Sequence, residues 1–150
     1  MKCDLFLSGE YSGGEFKFLR IFDRGFVCEL GRVYSGYLGL NVERVKMVSI
    51  LLELKRNGVD AFSLPIRYRD LNGVSFEESK EVASNYAESK GFGVFFDYSC
   101  SEKMPPAFWA FRLSGGIERV GGFVMVDRLD GHVWSDLEYD EYMYDFNNVL

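Results

Sequence analysis

Short apolar runs punctuated by glycine make up most of this chain, and stretches with helical spacing separate them. Residues 4–8 read as a short strand, and residues 16–22, rich in Phe and Ile, as a second that ends at the turn Asp23-Arg24-Gly25. Residues 26–29 are the expected hairpin partner, before Gly31, Gly36 and Gly39 break the pattern. Asn41 has N-cap chemistry, since its side chain can accept from the unpaired N–H groups of a first helical turn. Val42, Val45, Val48, Leu51 and Leu52 follow at helical spacing, Ile50 and Leu54 widen the face, and Gly58 is the expected stop. Residues 59–68 are ambiguous, with a strand ending near Pro65 as one reading.

The second half has stronger local signals. Ser75-Phe76-Glu77-Glu78 has the spacing of a capping box and opens a helix with Val82, Ala83, Tyr86 and Ala87 on its apolar face and Gly91 as its stop. Residues 93–98, 107–113 and 123–129 are apolar-aromatic runs separated by Pro105-Pro106 and Gly115-Gly116, which predicts a β-meander. Asp130-Gly131 supports a tight type I′ hairpin into His132-Val133-Trp134. Ser135-Asp136-Leu137-Glu138 is a second capping-box match, and Tyr139, Tyr142, Met143 and Phe146 then recur at i, i+3, i+4 and i+7. The expected fold is therefore α+β: a mainly antiparallel sheet with a C-terminal meander, packed by two or three helices, in a single domain over residues 1–150. No repeat or linker divides it.

Composition agrees with a folded chain. Of 150 residues, 47% are hydrophobic and 17% aromatic, which is globular and not disordered usage. Cys3, Cys28 and Cys100 are odd in number and lack C-x-x-C spacing, so a reducing compartment is expected rather than a disulfide framework. Leu5-Phe6-Leu7 is too short for the apolar core of a signal peptide, and no apolar run reaches the ~18–20 residues of a membrane span. A cytoplasmic protein is the expectation.

Charge changes the picture more than composition does. The formal net charge is −6. Residues 1–75 hold 11 basic and 9 acidic side chains, or +2; residues 76–150 hold 6 basic and 14 acidic, or −8. After Arg128 there is no Lys or Arg, while Asp130, Asp136, Glu138, Asp140, Glu141 and Asp145 follow. This argues against nucleic acid or an anionic membrane as partner and permits a basic protein.

Catalytic chemistry finds little support. The single histidine, His132, flanks a turn, where it reads either as a general base or as an ordinary turn residue. A Cys–His nucleophile pair with Cys28 or Cys100 requires a proximity that spacing does not supply. Cys and His pairs at zinc-ligand spacing are absent, and Asp127-x-x-Asp130-Gly131 does not have the order of a calcium loop. Gly91-x-Gly93 lacks the third glycine of a dinucleotide fingerprint, and Tyr34-Ser35-Gly36 is not a nucleophile elbow. No catalytic residue, metal ligand or cofactor is assigned. Acids beside aromatic residues suit binding better, because Tyr and Trp anchor interfaces and acids steer a basic partner toward them. The same Tyr residues also read as a helix's core-facing stripe.

The helix bearing Ala83, Tyr86 and Ala87, the segment Gly93-Val94-Phe95-Phe96, the strand Gly122-Phe123-Val124-Met125-Val126-Asp127 and the turn Asp130-Gly131-His132-Val133 resemble the core of small bacterial immunity proteins. These proteins belong to contact-dependent inhibition and polymorphic toxin systems of bacterial competition. The likeness covers residues 76–134 and transfers no functional residue; residues 1–75 have no counterpart in it. It implies a small, acidic, cytoplasmic inhibitor that binds a cognate toxin, often a basic nuclease domain, and occludes its active site or substrate groove. The candidate contacts come from the charge and aromatic pattern: Asp130, Trp134, Asp136, Glu138, Tyr139, Asp140, Glu141, Tyr142, Tyr144 and Asp145. A phage-type inhibitor or nucleic-acid mimic that binds a basic host protein is the first alternative. A small enzyme or ligand-binding module with a pocket of Phe and Tyr, holding Asp97, Asp127 or His132, is the second.

Overall fold

The structure, a computed structural model, describes residues 1–70, 72–115 and 122–149. It has an α+β fold with antiparallel pairing throughout both of its sheets. The expectation of a single domain meets a finer division: the chain forms two compact units, residues 1–70 with 140–150, and residues 71–139. No change in composition marks the boundary, because the chain leaves the first unit and returns to it through its last helix.

The first unit is built on β1 (Lys2–Ser12), which pairs with β2 (Val33–Tyr37), β3 (Val42–Glu43) and β4 (Ala61–Pro65). The strand expected over residues 16–22 is instead a 3-10 helix, Gly13–Ile21. Phe16 and Leu19 repeat at the three-residue period of that helix, and both are fully buried. Residues 26–29 form no strand, and β2 takes the hairpin role instead. Helix α1 (Arg44–Arg56) buries Met47, Ile50, Leu51 and Leu54, while Val45 and Leu52 face out. Its phase differs from the expected one because Val42 and Glu43 are drawn into β3. Asn41 is not its cap; its side-chain Oδ1 accepts from Arg69 Nη2 at 3.2 Å. Gly58 closes the helix as expected, with Val59 N–H donating to Leu54 O at 2.9 Å. After β4 comes the short helix α2 (Ile66–Asp70).

Asp4 lies at the centre of this unit, fully buried. Its carboxylate accepts from the backbone N–H groups of Leu5 at 2.7 Å, Gly39 at 3.0 Å and Leu40 at 2.7 Å, and from Arg69 Nη1 at 2.8 Å. Arg69 also donates to Leu40 O and to Asp70, and the hydrogen bond to Asp70, followed by those contributed by Asp4, holds its pKa above the ordinary range despite partial burial. One ion pair thus ties β1, the loop after β2 and α2 together.

The second unit opens with a close backbone approach. A Cβ on Gly73 would lie 1.9 Å from Arg128 O, so only glycine fits there, and Val74 N–H donates to that same carbonyl at 2.9 Å. The Ser75 capping box forms as expected: Ser75 Oγ accepts from Glu78 N–H at 3.1 Å, and Glu78 Oε2 accepts from Ser75 N–H at 3.3 Å. It starts α3 (Phe76–Glu88), whose Ala83 and Ala87 are buried. The meander is β5 (Gly93–Phe95), β6 (Phe108–Ser114) and β7 (Phe123–Asp127), with the short helix α4 (Tyr98–Ser101) between the first two. Ala83 of α3 packs with Phe111, Val124 and Val126 of the sheet, beside an aromatic group in which the Phe76 ring lies 4.9 Å from Phe96 and 5.4 Å from Trp109.

Candidate functional site

The sequence placed the candidate contacts on the last turn and the last helix, α5 (Asp136–Asn147). The turn is wider than expected. Asp127 N–H donates to His132 O at 2.8 Å across residues 128–131, and the return strand shrinks to a single bridge, Val126 with Val133. Gly131 supplies the positive φ, +77°, that this four-residue loop needs. A buried carboxylate holds the loop: Asp127 accepts from Leu129 N–H at 2.7 Å and from Trp134 Nε1 at 2.7 Å.

Trp134 is therefore not an exposed anchor. It is 9% exposed, its indole N–H is committed to Asp127, and its ring lies 4.9 Å from Phe108. Tyr142 is likewise corrected. Within the first unit it is 7% exposed, and its hydroxyl donates to Ser63 O at 2.8 Å while Asn147 Oδ1 accepts from Ser63 N–H at 2.8 Å. Together they occupy the backbone groups that β4 turns away from β1, and so cover a sheet edge. Burial pushes the Tyr142 phenol far above its usual pKa. Tyr139 is half-buried, 6.0 Å from Phe108.

The second capping box forms with the expected residues. Ser135 Oγ accepts from Glu138 N–H at 3.2 Å, and Glu138 Oε2 accepts from Ser135 N–H at 2.7 Å. Along α5 alone, each residue turns the direction by about 100°. Tyr142, Met143 and Asn147 fall on the buried arc, flanked by half-buried Tyr139 and Phe146. The opposite arc holds Leu137, Glu138, Asp140, Glu141, Tyr144 and Asp145, all exposed; Asp136 shares the direction of Met143 and Asn147 and is exposed as the helix's first residue. Leu137 is 73% and Tyr144 58% exposed. They stand seven positions apart, two turns along one face, with acids on both sides. Leu137 was missed by sequence reading; the signal was its place off the 139/142/143/146 stripe, the same argument that set the acids outward.

His132 lies between two of the acids. Its Nδ1 is 2.5 Å from Asp130 Oδ1, and its Nε2 is 3.2 Å from Glu138 Oε1. Asp130 Oδ1 also accepts from His132 N–H at 3.0 Å. Partial burial pulls the imidazole pKa down, but the Asp130 hydrogen bond and the charges of Asp130, Asp127 and Glu138 outweigh it, leaving a net rise. The hydrogen bond from the His132 backbone, then the imidazole itself, holds Asp130 below its usual range against a smaller effect of burial. One ligand atom from each of Asp127, Asp130 and His132 lies within 4.8 Å of the other two, and all three residues take part in the hydrogen bonds above.

Other candidates from the sequence are engaged elsewhere. Asp97 caps α4: Ser99 first, then Cys100 and Arg112, lower its pKa to about 2. The Cys28 thiol donates to Gly13 O at 2.7 Å, and burial raises the pKa of Cys3. All three cysteines are free. A groove of about 220 Å³ in the second unit is lined by Tyr86, Lys90, Phe92, Phe123 and Trp134 among others; Asp97, Asp127 and His132 are not among its described lining residues. Among the described residues no helix is long and apolar enough to cross a membrane.

A scan against protein-family models finds no match to this chain, and searches of curated proteins and of solved structures find none either.

Proposed function

We propose that this protein is a toxin-neutralising immunity protein that binds a basic partner through the outer arc of α5. One observation carries the reading: Leu137 and Tyr144 are exposed on that arc within a frame of Glu138, Asp140, Glu141 and Asp145. An apolar centre with a charged rim is the ordinary anatomy of a protein interface, in which the centre supplies affinity and the rim supplies steering and register. No Lys or Arg follows Arg128 in the chain, so the stretch that forms this arc brings no cation of its own to compete with the partner's. Trp134 and Tyr142 leave the contact set because they are buried; Tyr144 remains and Leu137 joins it.

The cognate toxin, a nuclease domain being the expected kind, would be encoded beside this chain's gene. The test is co-expression with the polypeptide encoded immediately upstream, followed by affinity measurement against salt. A tight complex that weakens steeply with salt and protects cells from that polypeptide supports the proposal. No complex and no protection would overturn it. Phage genes in that neighbourhood would instead point to an inhibitor of a basic host protein.

A further inference from the structure

We propose that His132 is a proton-operated counter-ion of the binding surface: as imidazolium it holds Asp130 and Glu138, and on losing its proton it yields one of them to the basic partner. This inference rests on the proposed use of the α5 arc and adds its regulation.

The geometry is a bridge. Asp130 from the turn meets Nδ1 and Glu138 from α5 meets Nε2, so the ring spans from the loop to the helix's first turn. Both ring nitrogens carry protons only in the imidazolium form; a neutral ring has one N–H and can donate to one carboxylate. Among the described residues, the charged groups facing the ring are Asp127 from β7, Asp130 from the turn and Glu138 from α5, all acidic. The imidazolium therefore sits in a field that favours it, consistent with the net rise in its pKa over the ordinary value. Glu138 divides its two oxygens, Oε2 to the capping box and Oε1 to the ring, so release of Oε1 leaves the helix cap intact.

The consequence for binding follows from charge. A partner's Lys or Arg that approaches Glu138 competes with the imidazolium while His132 is protonated. Once the proton leaves, the surface gains one unit of negative charge and a carboxylate oxygen is open to the incomer. Affinity for a basic partner should therefore rise as pH rises through the His132 titration. The sizes typical of exposed ion pairs make this a rise of about two- to fivefold.

Two measurements on the full chain test this. The chain has one histidine, so the NMR titration of its Cε1–H reports the bridge without a partner. The wild-type midpoint should lie above the ordinary range and fall in Glu138→Gln, a change that keeps an amide oxygen for the cap. An ordinary midpoint that Glu138→Gln leaves unmoved overturns the bridge. The second measurement is binding of an octalysine peptide at low salt between pH 5.5 and pH 8. Wild-type affinity should rise over that range, while His132→Gln should be flat and close to the wild type's high-pH value. Binding that is equally strong at both pH values in the wild type overturns the inference alone. Failure of octalysine to bind at either pH counts against the acidic arc itself, and so against the proposed function as well.

Discussion

Each unit buries an aspartate, and the two carboxylates are held by different donors. In the first unit, Asp4 gathers three backbone N–H groups and the guanidinium of Arg69. In the second, Asp127 is held by a backbone N–H and the indole of Trp134. The surrounding charge differs in the same sense. Residues 1–70 with 140–150 hold 11 basic and 12 acidic side chains, or −1, and residues 71–139 hold 6 and 11, or −5. A guanidinium is among the donors to the first carboxylate and an indole among the donors to the second, while most of the described acids of the second unit are exposed. The acidity that sequence counting assigned to the second half is thus concentrated in residues that the core does not use.

Substitutions at matched positions sharpen this contrast. Removing the Asp4 carboxylate leaves a largely buried guanidinium and three amide donors behind, so Asp4→Ala should cost about 3 kcal/mol by urea unfolding. Trp134→Phe keeps the ring contact with Phe108 but strips a donor from the buried Asp127 carboxylate, for a loss of about 2 kcal/mol. If the order of these two losses is reversed, the larger contribution assigned to the Asp4–Arg69 pair fails. Ser75→Ala and Ser135→Ala each remove a capping hydroxyl and should each cost about 1 kcal/mol.

The smallest effect is a pH dependence confined to the second unit. The folded-state pKa of His132 is raised, so its contribution to stability is fully present below the unfolded-state pKa and is lost as pH rises through the folded-state one. The urea midpoint of the wild type should therefore decline from pH 5.5 to pH 8 by more than that of His132→Gln. Parallel declines would remove the bridge from the stability of this unit.

Legibility in the sequence divided along similar lines. Both serine capping boxes were readable because their partners sit three residues apart and the chemistry is local. The meander was readable because proline and glycine pairs separate its runs. The segment Gly13–Ile21 misled because its Phe and Leu positions fit a strand and a 3-10 helix alike, and the choice falls to the burial of Phe16 and Leu19. Asn41 looked like a cap, yet Arg69, 28 positions away, claims its side chain. The candidate site split in the same way. Glu138, Asp140, Glu141, Tyr144 and Asp145 are exposed, as helical periodicity required, and Asp136 is exposed at the helix's first position. Trp134 and Tyr142 went inside because their polar ends found Asp127 and the Ser63 carbonyl, and the second of these contacts spans 79 residues. An aromatic residue with one polar atom suits an interface and a core equally well until the partner of that atom is known.

The most direct test of the α5 arc as a binding surface is a matched charge reversal. Asp140, Glu141 and Asp145 on α5 are changed together to Lys in one variant, and Glu77, Glu81 and Glu88, exposed on α3, in another. The two variants carry the same net charge, and octalysine affinity is measured for each across a salt series. If the arc is the site, the α5 variant loses binding and its salt dependence while the α3 variant keeps most of both. Equal losses would mean that octalysine senses only total charge, and a loss confined to the α3 variant would place the site elsewhere.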